Sequence, residues 1–99
     1  MKKMFVLVRE ELAPVYRCVQ GCHAVALFGR TEPGLFCEWD NGTLVFLSVR
    51  FPQAIQHWAE KLESRDIFHV VYREPDLDQP TALACYDDGE IFRSLPTTI

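Results

Sequence analysis

The chain lacks any apolar run approaching the ~20 residues that a membrane-spanning helix needs. Its most apolar stretch, Cys22 to Phe28, is far shorter. It also lacks an excess of positive charge: Lys plus Arg total 10 against 14 Asp plus Glu, a formal net charge of -4. No broad field draws phosphates to such a surface, so any nucleic-acid site has to be a local patch. The opening Met1–Arg9 has a basic end and a short apolar stretch but no small-residue cleavage site, so it reads as a first strand and the expected location is cytoplasmic. There is no phosphate-binding P-loop, no dinucleotide glycine fingerprint and no serine-nucleophile elbow. Repeats, low-complexity runs and linkers are missing too. The four cysteines, Cys18, Cys22, Cys37 and Cys85, match no zinc spacing. They read as free, small core thiols rather than metal ligands or disulfides, and no cofactor is implied.

The sequence is rich enough in apolar side chains, 48% over 99 residues, to build one core and too short for two. We therefore read residues 1–99 as a single domain. Phe5–Val8 reads as a strand. Pro14 suits the first turn of a helix, in which Val15, Cys18, Val19, Cys22, Val25 and Ala26 recur as an apolar stripe, with Gly29 at its end. Arg30–Gly42, with Pro33, Gly34 and Asn41-Gly42, reads as a loop. Thr43–Val49 is almost continuously apolar, which suggests a strand buried on both faces. Pro52 opens a second helix with Ala54, Ile55, Trp58, Ala59 and Leu62 on one face. Phe68–Tyr72 and Thr81–Tyr86 read as the last two strands, separated by an acidic loop, with a tail too short for more than a brief turn or strand. Two helical connections favour parallel crossovers, whereas the last connection is too short for one. The expected fold is α/β: a four-stranded mixed sheet with its last strand antiparallel and helices on its faces.

Candidate chemistry gathers on the first helix and past the third strand. Gln20 and His23 are three apart, on a face with Tyr16 and Leu27 that differs from the cysteine stripe. Glu74 follows the third strand, at the end of the sheet where α/β sites collect. A histidine beside a carboxylate makes a workable acid/base pair. His57 and His69 read as exposed, and Trp39 and Trp58 as packing groups.

Several segments taken in order resemble the type 2 peptidyl-tRNA hydrolase family. They are Met4–Leu12, Gln20-Gly21-Cys22-His23-Ala24, Trp39–Gly42 with the strand after it, Arg73-Glu74 and Pro80–Ala84. The resemblance implies a three-layer α/β/α domain that hydrolyses the ester of peptidyl-tRNA. It also implies roles for Gln20, His23 and Glu74 in orienting water, with Thr81 beside them. The family's helix lysine is replaced by Tyr16, with Arg17 next to it as the nearest cation. The family aspartate is a glutamate here, and the basic loops are shortened. On this reading Arg17, Tyr16, Thr81 and Arg73 bind substrate, and Arg9, Arg17 and Arg73 together would form the basic patch for tRNA or a nucleotide. The alternative is a non-catalytic binding or regulatory module on the same fold, recognising a nucleotide, an RNA end or a protein partner. A third reading pairs the apolar helix stripe with a second copy in a homodimer.

Overall fold

The computed structural model describes residues 1–98; Ile99, the last residue of the expected domain, lies outside them. Four strands form one sheet: β1 (Lys3–Arg9), β2 (Leu44–Val49), β3 (His69–Glu74) and β4 (Gln79–Asp87). Their order is β2-β1-β4-β3. β1 and β2 run parallel, in register from Met4 opposite Leu44 to Arg9 opposite Val49. β4 runs antiparallel to both β1 and β3, as the short last connection requires.

Three helices cover the sheet: α1 (Pro14–Thr31) and α2 (Pro33–Trp39) on one face, α3 (Ala54–Ser64) on the other. Alternation along the strands divides the core. Met4, Val6, Val8, Ala82 and Ala84 meet Ala24 and Phe28 of α1. Phe5, Leu7, Leu83 and Cys85 meet Ile55, Trp58 and Leu62 of α3. The three-layer α/β/α architecture expected from the sequence is therefore present. Among the described residues no helix is long and apolar enough to cross a membrane.

Four local expectations are corrected. The stripe expected to anchor α1 faces outward: Val15 is 78% exposed and Val19 44%, and Cys22 is exposed as well. The helix instead buries Gln20, Gly21, Ala24 and Phe28. Small residues win there because the sheet comes so close. A Cβ on Gly21 would lie 2.2 Å from the Phe46 ring of β2, so any side chain there would force the ring or the helix to shift. Second, α1 continues past Gly29, whose missing side chain leaves room for the ring of Phe36. Third, the expected loop contains α2, started by Pro33 in its first turn and anchored by buried Trp39, whose indole N–H donates to the Thr43 carbonyl at 2.9 Å. The Asn41-Gly42 turn does follow, with Asp40 and Asn41 in the left-handed region. Fourth, of the four cysteines only Cys85 is buried; Cys18 is half-buried, and Cys22 and Cys37 are exposed.

The second strand is an edge strand, exposed at Leu44 and buried only from Leu47 to Val49. Its outer edge is covered by the tail. The Ser48 N–H donates to Pro96, Thr98 donates to Phe46, and Leu47 bridges Thr97. Before that, a short helical turn, η1 (Glu90–Phe92), inserts Phe92 between Phe5 and Trp58.

Candidate functional site

The register of β3 against β4 shifts between Tyr72 and Arg73, so that Tyr72 opposes Ala82 and Arg73 opposes Pro80. Thr81 is the extra residue of a β-bulge, a device that re-aims a side chain. Ala82 already faces α1, and the bulge brings its neighbour Thr81 to the same side. There the Thr81 hydroxyl donates to Oε1 of Gln20, and Gln20 Nε2 donates to Oε2 of Glu74 at 2.9 Å. The Gln20 amide is thus held at both ends, its Oε1 by Thr81 and its Nε2 by Glu74. Gln20 and Thr81 are fully buried and Glu74 is 8% exposed. No buried side-chain polar atom among the described residues lacks a partner. Gln20, Glu74 and Thr81, singled out separately in the sequence, are one network.

His23 stands apart from it. No hydrogen bond or ion pair joins His23 to Glu74, so the expected acid/base pair is not formed. The imidazole is exposed and stacks on Tyr72 of β3, with centroids 4.5 Å apart and planes 6° from parallel. Tyr72 lies two residues before Glu74 and so shares its face. Its phenol is held above its ordinary pKa of 10.0, first by burial and then by the charges of Glu74 and Asp76 and by Tyr16. The hydroxyl therefore keeps its proton at neutral pH. Tyr16, half-buried on α1, is close enough to contribute to that shift. A small cavity of about 200 Å³ adjoins the stack, walled also by Ala26, Leu27 and Arg30. Arg30 is exposed, and among the described residues it has no ion-pair partner.

The arginines expected to bind phosphate each hold partners within the chain, and the three do not share one pocket: Arg9 and Arg73 line a common cleft without Arg17. Arg17 Nε donates to the Leu12 carbonyl at 2.7 Å and its Nη1 to Oγ1 of Thr98 at 2.7 Å, clamping the tail to the start of α1. Arg9 is buried; it pairs with Glu11 and also donates to Oε1 of Gln79 at 2.9 Å. The hydrogen bond from Arg9 to Glu11 holds the Glu11 carboxyl below its ordinary pKa of 4.5. Arg73 pairs with Asp78 at 3.1 Å. Each cation is matched by a carboxylate or held by backbone and hydroxyl oxygens.

Sequence reasoning missed Tyr72 and Arg30. Both were findable: Tyr72 by the two-residue period of β3 from Glu74, and Arg30 by lying seven residues, two helical turns, after His23. Among the described residues no group of three His, Cys, Asp or Glu side chains is placed to hold a metal ion.

No family model matches the chain, and no curated protein matches it. A solved structure with a similar fold is that of Atu0240 from Agrobacterium tumefaciens strain C58, a protein of unknown function. It is 15% identical, covers 99% of this chain and 98% of its own, and superposes with a TM-score of 0.63. At that identity the likeness is one of fold.

Proposed function

We propose that this chain is a non-catalytic module on a peptidyl-tRNA hydrolase-like fold that recognises a nucleotide or a single-stranded RNA end. The observation that carries this reading is the His23–Tyr72 stack beside Arg30 on an otherwise acidic protein. A flat aromatic pair gives a base a surface to stack on, worth about 1–3 kcal/mol per base. Arg30, seven residues on along the same helix face, supplies one contact for a phosphate. The small cavity suits a single ring, in keeping with one nucleotide rather than a long track.

The separation of His23 from Glu74 and the internal pairing of Arg9, Arg17 and Arg73 weigh against ester hydrolysis. The proton acceptor has no carboxylate to orient it. Arg9, Arg17 and Arg73 already hold partners within the chain, which weakens them as stabilisers of developing charge. One observation keeps a hydrolase as the second reading: Gln20, Glu74 and Thr81 are assembled in one network at the expected end of the sheet.

The test is titration of a short single-stranded oligoribonucleotide, with adenosine 5′-monophosphate as the minimal probe. Binding is expected to fall about tenfold or more in His23→Ala and in Arg30→Glu. With a single phosphate contact, the slope of log affinity against log salt is expected near -0.7. Equal binding by wild type and both variants would refute the reading.

A further inference from the structure

A cleft of about 630 Å³ lies on the opposite layer from His23, between the start of α3 and the β3–β4 turn. Its volume falls in the range of small-molecule sites. We propose that this cleft binds a small organic monocarboxylate with an apolar body. The inference is independent of nucleotide recognition at His23, because no residue lines both places.

The argument starts from Arg9. Its buried guanidinium donates sideways to Glu11 through Nε and Nη2, and through Nη1 to Oε1 of Gln79 and the Pro80 carbonyl. Arg9 is therefore a support and not itself a ligand group. Because it occupies Oε1 of Gln79, it fixes the orientation of that amide and leaves Nε2 as the group free to bind in the wall. Next to it, Arg73 spends Nε on Oδ1 of Asp78 at 3.1 Å and Nη2 on the Asp78 carbonyl at 2.8 Å. Both hydrogens of Nη1 remain without a partner among the described residues. Arg73 and Gln79 both line the cleft, and each keeps a donor nitrogen without a partner among the described residues, a pairing that suits a carboxylate. The facing first turn of α3 contains no acidic residue and no side-chain cap.

The remaining walls set the rest of the ligand. Pro52 and Pro80 offer apolar surface for its body. Glu60 lines the cleft as a carboxylate, with the His57 imidazole and the Gln56 amide in the same wall. Together with the net charge of -4, it disfavours a second negative charge. A monoanion is therefore preferred over a phosphate dianion or a polyanion.

Side-chain amide and arginine signals of the full chain, followed by ¹H–¹⁵N NMR, test this with three probes of similar size. They are 3-phenylpropanoate, neutral 3-phenylpropan-1-ol and phenyl phosphate. Saturable shifts are expected at Gln79, Gln56 and Arg73 with the carboxylate, and affinity about tenfold lower for the alcohol. Phenyl phosphate is expected to bind more weakly than the carboxylate. Arg73→Lys, which keeps the charge and loses the fork, is expected to weaken carboxylate binding severalfold. Gln56 lines the cleft from the exposed surface of α3, clear of the β3–β4 turn, so Gln56→Glu, which adds a second carboxylate beside Glu60, is expected to abolish it. No saturable shift, equal binding of alcohol and carboxylate, equal or tighter binding of phenyl phosphate, or a folded Gln56→Glu variant that binds normally would each overturn the proposal.

Discussion

The two faces of the sheet are built by different rules. Beneath α3, large apolar side chains interlock: Ile55, Trp58 and Leu62 against Leu7 and Leu83, closed by Phe92. Beneath α1, the helix buries a glutamine, a glycine, an alanine and only one large side chain, Phe28. That face sacrifices apolar burial to admit a polar network and a close backbone approach. A helix that packs with volume advertises itself in its sequence. A helix that packs with small and polar residues conceals its buried side, and its exposed valines and cysteines then imitate a core stripe.

The largest effect expected from breaking the comparison is on the α3 side. Leu62 is completely buried among apolar neighbours, so Leu62→Ala should cost about 3 kcal/mol. In a domain of this size the loss should lower Tm by roughly 15 °C, measured by calorimetry or thermal circular dichroism.

On the α1 side the cost comes from polarity rather than volume. Gln20→Leu fills similar space but strands the Glu74 carboxylate and the Thr81 hydroxyl, at about 2 kcal/mol in denaturant unfolding. Replacing all three together, with Gln20→Leu, Glu74→Leu and Thr81→Val, should recover most of that loss, since no buried polar group is then left alone. A triple variant less stable than the single one would show that the network is not the source of the cost.

The smallest effect is expected on the misleading stripe. Val19→Gln should change stability by no more than about 0.5 kcal/mol, because Val19 is 44% exposed. A loss of several kcal/mol, or a concentration-dependent Tm that the substitution removes, would show that this face is covered by a second copy.

The fold was legible in the sequence where periodicity and connection length carry it. The α3 face emerged residue by residue. The direction of β4 followed from a connection too short for a crossover. The α2 helix was hidden because Pro33, Gly34 and Asn41-Gly42 mark its two ends, and seven residues between turn signals resemble a loop. The covering of β2 by the tail depends on Arg17 and Thr98, which are far apart in sequence, and no local pattern reports such a contact. In the site, Gln20, Glu74 and Thr81 were each named, but their union depends on a bulge that displaces Thr81 from strict alternation. His23 was read beside Glu74, to which no hydrogen bond joins it. Its ring turns to Tyr72, and a single sequence does not specify a stacking partner on another element.

The most direct test of the central claim is to incubate the purified, folded protein with peptidyl-tRNA and measure binding and ester cleavage in the same samples. A Gln20→Ala/His23→Ala double variant serves as the blank. The account predicts binding that requires His23 and no turnover above the blank. Turnover by the wild-type chain that disappears in the double variant would contradict it and make Gln20, His23 and Glu74 a hydrolytic site.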